Sequence, residues 1–360
     1  MPFEFDTATQ LTATANLGTF EGAIHAGWDI NGNANGGYLM ALAARAMRDE
    51  SGRPDPISVS AHYLAPGPAG PVTVQAAAVK TGRQLVTMTG SLRQGERELL
   101  RLLGSFGDVG AMSGGYQHTT LVAPDVPPRE QCIQHSSARA TVTVPLADRL
   151  HTWFRPEQAP FLPGPKSNIA VIEGWAEFAD GRPFDTLSLL LVADGFPPPV
   201  FHLDMPSGWV PTIELTVHVR GIPAPGPVRC RFHSEIVQNG FLQEDGLVWD
   251  SDGQLVALHR LFDAELAQGK ELGFGSRIDA GALAEFHQLG LIASIELLKL
   301  FIAGRHHAVR AGRDAVDRRA RAVIKAAEIC PLLFDPDGAS AQARRLEFLA
   351  TERASHLLVP

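Results

Sequence analysis

Apolar and polar residues alternate along most of the first three quarters of the chain, which is the pattern of half-buried β-strands. In 212–219, for example, Leu215 and Val217 alternate with Thr216 and His218. Gly95 and the pair Asp252-Gly253 are typical of hairpin turns between neighbouring strands. The pattern predicts strands at 56–63, 72–79, 85–93, 97–106, 212–219, 228–237, 246–250 and 254–262.

Two segments break the alternation and are apolar on nearly every side. They are 36–47, which begins Gly-Gly-Tyr-Leu-Met, and 185–192, which reads Asp-Thr-Leu-Ser-Leu-Leu-Leu-Val. A helix that is apolar all round is buried, so both segments are predicted to be buried helices. Asp185 is the predicted N-cap of the second helix.

The two helix-and-strand groups form an internal repeat. Segments 56–72 and 212–228 align without gaps at an offset of 156, and five of the 17 aligned pairs are identical. The alternative is two unrelated hairpins that share turn residues. One buried helix followed by four or five antiparallel strands, present twice, predicts an α+β fold in which a sheet wraps around a helix.

This layout resembles a double hotdog, and the residues resemble the acyl-CoA thioesterase II family and its actinobacterial thioesterase-like relatives. Together, five stretches carry the resemblance: Asn35-Gly-Gly-Tyr-Leu-Met-Ala-Leu-Ala, Ser60-Ala-His-Tyr-Leu-Ala-Pro-Gly, Leu190-Leu-Val-Ala-Asp, Pro211-Thr-Ile-Glu-Leu-Thr-Val-His and Asp252-Gly-Gln-Leu-Val-Ala. The resemblance implies hydrolysis of acyl-CoA thioesters to CoA and a carboxylic acid, as in fatty acid metabolism, without a cofactor.

The texture of the sequence changes near residue 268, where breaker-rich strands give way to Ala/Leu/Arg-rich sequence. We predict an N-terminal hotdog at 1–122, a linker at 123–140, a C-terminal hotdog at 141–268 and an all-helical appendage at 269–360. The last segment resembles no family that we recognise. The net charge of −8 divides at the same point, because the final segment has a small excess of basic residues.

Charge and cysteine content exclude several classes of protein. A net charge of −8 gives no general attraction to nucleic acid or to an anionic membrane. Cys132, Cys230 and Cys330 lie too far apart for a zinc site or a disulfide framework, and no metal-ligand motif is present. We expect a cytoplasmic protein without membrane insertion, because neither a signal peptide nor a long uncharged apolar stretch is present. Assembly into a homo-oligomer stays open.

The resemblance assigns catalytic roles to three residues. Asp194 takes the place of the family's water-activating aspartate, and Thr212 that of its water-orienting threonine. The backbone N–H of Gly37, at the start of a helix, is the expected oxyanion donor. From the residues alone, Asp194 is also typical of an Asp-Gly turn, Thr212 of an ordinary strand, and Gly37 of simple helix capping.

Asn35, Gly36, Tyr38 and Arg83 are the predicted substrate-binding residues. The first three belong to the glycine-rich start of the first helix, where backbone can approach a ligand closely. Arg83 follows the turn at Gly82 and could contact a CoA phosphate, although a solvated surface arginine fits the same position.

One position departs from the family pattern. The resemblance places the family's third catalytic residue, a glutamine, at Leu261, which cannot bind water through its side chain. Strand alternation puts His259 on the same face as Leu261 and Arg260 on the opposite face. Two functions therefore stay open: an acyl-CoA thioesterase, or a protein that binds acyl-CoA or lipid without hydrolysing it.

Overall fold

The structure, a computed structural model, describes residues 2–112, 114–136, 143–159, 166–204 and 210–264. The predicted helical appendage at 269–360 lies outside the described residues. The described helices are α1 (Glu4–Ala8), α2 (Gly36–Ser51), α3 (Val109–Met112) and α4 (Leu189–Val192), with 3₁₀ turns at Arg129–Gln131, Pro145–Asp148, Pro156–Gln158 and Pro199–His202.

The described strands fall into two groups that follow each other along the chain. The first group is β1 (Thr12–Ala13), β2 (Thr19–Ile24), β3 (Asp29–Ile30), β4 (Asn33–Ala34), β5 (Asp55–Tyr63), β6 (Gly70–Thr81), β7 (Val86–Gln94) and β8 (Arg97–Gly107). The second is β9 (Ile133–Gln134), β10 (Leu150–Phe154), β11 (Val171–Phe178), β12 (Thr212–Val219), β13 (Val228–Gln238), β14 (Phe241–Trp249) and β15 (Leu255–Ala264).

Thirteen of the described strands form one antiparallel sheet, in the order β1-β2-β6-β7-β8-β5-β12-β15-β14-β13-β11-β10-β9. Apart from the last strand, β9, the order is a mirror about the β5–β12 pair. The sheets of the two predicted hotdogs are therefore halves of one continuous sheet, which join edge to edge through β5 and β12. This pairing satisfies the backbone groups that each half would otherwise expose at its edge.

The pseudo-two-fold axis of the repeat passes between Ser60 and Thr216. These residues are 156 positions apart, they face each other across β5 and β12, and their hydroxyl oxygens are 2.8 Å apart. The repeat offset read from the sequence therefore equals the offset between the residues that meet on the axis. This agreement excludes the alternative of two unrelated hairpins.

Helix α2 is the buried helix of the first half and matches its prediction. Every residue from 37 to 47 is buried except Arg45, which reaches the backbone oxygen of Asp6 and the hydroxyl of Thr9. The helix ends where Gly52 adopts a left-handed conformation with φ 64°. The helix packs against β5, β6, β7 and β8 and against α4.

Helix α4 is shorter than predicted, because it begins at Leu189 and the preceding residues form a turn. Ser188, and not the predicted Asp185, is the N-cap of α4. Asp185 closes the preceding turn instead: Ser188 N donates to Asp185 Oδ1 at 2.7 Å, and Asp185 N donates to Ser188 Oγ at 2.8 Å. Beyond Asp194, Gly195 and the run Pro197-Pro198-Pro199 prevent the helix from continuing.

Candidate functional site

The carboxylate of Asp194 lies at the N-terminus of α2. Gly37 N donates to Asp194 Oδ2 at 2.9 Å. Asn35 Nδ2 donates to the same Oδ2 at 2.8 Å and to the backbone oxygen of Asp194 at 2.6 Å. Helix N-termini favour negative charge because their first N–H groups lack partners within the helix. The first half of the chain thus holds the predicted catalytic carboxylate of the second half.

Glycine is needed at 36 and 37 for space. A Cβ at Gly36 would lie 2.9 Å from a ring carbon of Tyr63 and 3.0 Å from Asp194 Oδ2. A Cβ at Gly37 would lie 2.7 Å from the carbonyl oxygen of Leu190 and 2.9 Å from that of Leu191. The two glycines therefore allow α2 to approach α4 closely enough for the Asp194 hydrogen bonds to form.

Burial dominates the electrostatics of Asp194. It raises the pKa of this carboxyl to about 6, although the hydrogen bonds from Gly37 and Asn35 lower it. Asp194 as a whole residue is half-buried. A carboxylate of this kind is still ionised at neutral pH and is more basic than an ordinary aspartate, which suits it to accept a proton from water.

The other predicted residues at the start of α2 have structural partners. Asn35 is buried and caps the helix, because its Oδ1 accepts from Tyr38 N at 2.9 Å. The side chain of Tyr38 is fully buried and stacks on Trp28. Its hydroxyl donates to the backbone oxygen of Ala8 at 2.8 Å and accepts from His25 N at 3.1 Å. We therefore leave Tyr38 out of the proposed site.

Arg83 is exposed and lies near the C-terminus of α2. Arg53, just after that helix, donates to the backbone oxygens of Gly82 and Arg83 at 3.2 Å and 3.0 Å. A helix of 16 residues is about 24 Å long, so Arg83 and Asp194 lie toward opposite ends of α2. The structure does not bring Arg83 together with the other predicted site residues.

Thr212 begins β12 and faces the interior because of a β-bulge. The register between β12 and β15 shifts between Thr212 and Glu214, which places Thr212 directly opposite Asp263. The two side chains share a hydrogen bond, and Asp263 is only 2% exposed. Thr212 is thus paired with a buried carboxyl that the sequence reasoning did not single out.

Leu261 is buried, and its strand neighbours confirm the predicted alternation of faces. His259 is buried on the same side, while Arg260 is exposed and pairs with Asp245. His259 Nε2 lies 3.2 Å from Glu244 Oε1, and its Nδ1 has no hydrogen-bond partner among the described residues. Burial lowers the pKa of His259 to about 4 and raises that of Glu244 well above its usual value, so we take both groups as neutral.

Three side chains near Asp194 were missed by the sequence reasoning: Tyr63, Glu244 and Asp263. Burial raises the pKa of Tyr63 well above its usual value, and the charges of Asp194 and Asp263 add to the shift. Burial also raises the pKa of Asp263 to about 8, with further contributions from Glu244 and Asp194. Glu244 and Asp263 lie just outside the predicted strands 246–250 and 254–262, and longer strands would have placed them on the inner face.

The described part of the chain has neither a side-chain cluster suited to a metal ion nor a helix suited to crossing a membrane. No group of three or more His, Cys, Asp or Glu side chains there could hold a metal ion. None of the helices there is long and apolar enough to cross a membrane.

Comparisons with known proteins identify the family of the chain. Residues 24–107 match the model of the acyl-CoA thioesterase N-terminal domain, and residues 127–260 match that of the C-terminal domain. An uncharacterized protein of Mycobacterium tuberculosis is 28% identical over 261 residues, which cover 67% of this chain and 89% of that protein.

Solved structures show the same fold. A Thermobifida fusca protein assigned as a thioesterase II aligns with a TM-score of 0.65 and 27% identity, over 73% of this chain and 98% of that one. An acyl-CoA thioesterase II from Mycobacterium marinum aligns with a TM-score of 0.53 and 14% identity, over 72% and 97%. With both domain models matched in order over more than half of its length, the chain belongs to the acyl-CoA thioesterase family.

Proposed function

We propose that this protein hydrolyses acyl-CoA thioesters, with Asp194 as the general base. The observation that carries the proposal is a carboxylate anchored on the N-terminus of α2, whose pKa burial raises to about 6. Asp194 takes a proton from water, and the resulting hydroxide attacks the thioester carbonyl. The C–S bond then breaks, the proton passes to the departing thiolate, and a carboxylic acid and CoA are released.

The amide of Gly37 serves two states of this reaction. In the resting site it donates to the ionised carboxylate of Asp194 at 2.9 Å. Once Asp194 is protonated, it becomes a weaker acceptor, and the negative charge moves to the former carbonyl oxygen of the substrate. The Gly37 N–H and the helix dipole then stabilise that oxyanion. Asn35 keeps the aspartate in place through its bond to the backbone oxygen.

Leu261 supports a second candidate, an acyl-CoA-binding protein without turnover. Its side chain is 3% exposed and fills the position that the resemblance gives to a water-binding glutamine. Release of free thiol from short, medium and long acyl-CoAs separates the candidates. Tight binding of an acyl-CoA without any thiol release would overturn the hydrolase proposal.

Substitution of Asp194 by asparagine tests the site. We expect Asp194→Asn to lower kcat by roughly 100-fold or more, because the carboxamide cannot accept the proton. In the unmodified protein, activity should rise with pH through about 6, where Asp194 ionises. The matched control is Asp252→Asn, at an exposed hairpin turn where Asn-Gly is equally suitable. Equal loss in both variants, or turnover unchanged in Asp194→Asn, would contradict the assignment.

A further inference from the structure

The β-bulge at the start of β12 gives Asp263 a defined partner. Regular alternation would turn Thr212 to the same side as Glu214 and Thr216, away from the core. The register shift between Thr212 and Glu214 reverses that direction and sets Thr212 opposite Asp263. Bulges often re-aim a side chain beside an active site. Here the bulge joins the predicted water-orienting threonine to a buried carboxyl.

The titratable groups that interact with Asp263 come from three other elements and include no described cation. Glu244 lies on the neighbouring strand β14, Asp194 follows α4, and Tyr63 ends β5. None of the described Lys or Arg side chains forms an ion pair with Asp263. An ionised carboxylate here would face two other carboxyl groups in a poorly solvated place, so the neutral acid is the stable form at neutral pH.

Two buried atoms at this place have no hydrogen-bond partner among the described residues: Asp263 Oδ1 and the hydroxyl oxygen of Tyr63. Buried polar groups are nearly always paired, and leaving one unpaired costs about 1–3 kcal/mol. These two atoms lie near the carboxylate that is proposed to activate water. We therefore expect them to form hydrogen bonds with that water or with the substrate.

The pseudo-two-fold axis shows that the fold does not require polar groups at these positions. In the first half, the same bulge falls between Pro56 and Ser58 and sets Pro56 opposite Phe106, the position related to Asp263. Met88 takes the position of Glu244. Met88 lies opposite Gly104, the partner of Val59, and Glu244 lies opposite Leu261, the partner of Leu215. Val59 and Leu215 are related by the repeat. Phe106 and Met88 are both fully buried.

We propose that Asp263, as a neutral carboxylic acid, is a positioning residue that directs the hydroxyl of Thr212 toward Asp194 and its water. Asp263 thus takes the role of the family's glutamine, whose position is occupied by Leu261. The O–H of Asp263 donates to Thr212 Oγ1, which leaves the Thr212 proton free to point into the site. When Asp263 ionises, it can only accept a hydrogen bond. The Thr212 hydroxyl then donates to Asp263 and no longer to the water. This inference rests on the proposed hydrolysis.

The test is the pH profile of thiol release, with acyl-CoA as substrate and three variants of the full chain. Activity of the unmodified protein should fall as pH rises through about 8, where Asp263 ionises. Asp263→Asn should keep activity within about threefold at pH 6.5, because its amide donates at every pH, and should lose this alkaline limb. Asp263→Leu should lower kcat about tenfold across the range, the effect of one lost hydrogen bond. Asp252→Asn should leave the profile unchanged.

Each result decides between the claims. An alkaline limb that persists in Asp263→Asn, or an equal kcat loss for the asparagine and leucine variants, overturns the role of Asp263 while hydrolysis by Asp194 stands. No thiol release by the unmodified protein overturns the proposed function and this inference with it. Titration of the Asp263 carboxyl carbon by NMR, assigned by its absence in Asp263→Asn, gives a readout besides activity. A midpoint in the ordinary aspartate range would exclude the neutral acid at neutral pH.

Discussion

The two halves of the molecule have the same strand arrangement but differ in three buried side chains beside the bulged strand, a set that we call the corner of each half. In the first half this corner holds Phe106, Met88 and Leu102, all buried and apolar. In the second half the related positions hold Asp263, Glu244 and His259, equally buried but titratable. The strand register relates these positions. Leu102 lies opposite Ala61, His259 lies opposite Val217, and Ala61 and Val217 are 156 positions apart.

The comparison separates what the fold needs from what the chemistry needs. The same bulge, strand order and inward face exist with an apolar corner, so the titratable corner is not required to form the sheet. Burying polar groups is less favourable than burying apolar side chains of similar size. We interpret the second corner as stability given up for a site beside Asp194, and the first corner as the structural counterpart that stabilises the fold.

The largest expected effect comes from making the first corner resemble the second. Met88→Glu should lower the free energy of unfolding by roughly 4 kcal/mol or more, because it removes a buried apolar side chain and buries a carboxyl without a histidine partner. Urea denaturation measures the change. Thr87→Glu, on the opposite face of the same strand and only half-buried, is the matched control. If both variants had the same stability, the two corners would not differ in the way proposed.

A smaller loss of stability is expected at the N-terminus of α2, where the first half of the chain binds Asp194 of the second half. Gly37→Ala should destabilise the protein by about 1–3 kcal/mol, because its Cβ would press on the carbonyl oxygens of Leu190 and Leu191, which belong to backbone. It should also move the acid limb of activity above pH 6, since Asp194 would lose the amide that stabilises its charge. Thermal unfolding and the pH profile provide the two measurements.

The control for that variant is Gly114→Ala, at an exposed position where a Cβ would meet nothing within 4 Å. Its stability should stay within about 0.5 kcal/mol of the unmodified protein. A loss no larger in Gly37→Ala than in Gly114→Ala would show that α2 can move away from α4 freely. The close approach of the two helices would then not be what positions Asp194.

Much of the fold could be predicted because the repeat and the alternation are local signals. All eight predicted strands are present, and α2 is buried as its apolar surface indicates. The strands β2, β10 and β11 that complete the two halves were not predicted, and the second helix is shorter than its apolar run. Short strands and helices depend on tertiary packing, which overrides local preference.

The site was less accessible to sequence reasoning than the fold. Asn35 and Gly37 meet Asp194 across 159 and 157 residues, and no local pattern reports such a contact. The bulge at Thr212 reverses the face that alternation assigns, so the partnership with Asp263 could not be read from period 2. Glu244 was missed because the predicted strand begins at residue 246, whereas β14 begins at Phe241.

The smallest effect is expected from making the second corner resemble the first. The double variant Glu244→Met/His259→Leu should raise the free energy of unfolding by about 1 to 2 kcal/mol, because well-packed apolar groups replace a buried polar pair. Glu244→Met by itself should be less stable than the double variant, since it leaves His259 Nε2 without its partner at 3.2 Å. Urea denaturation of both proteins measures this order. A double variant less stable than the single one would mean that the titratable corner supports the fold, and the contrast between the halves would lose its functional meaning.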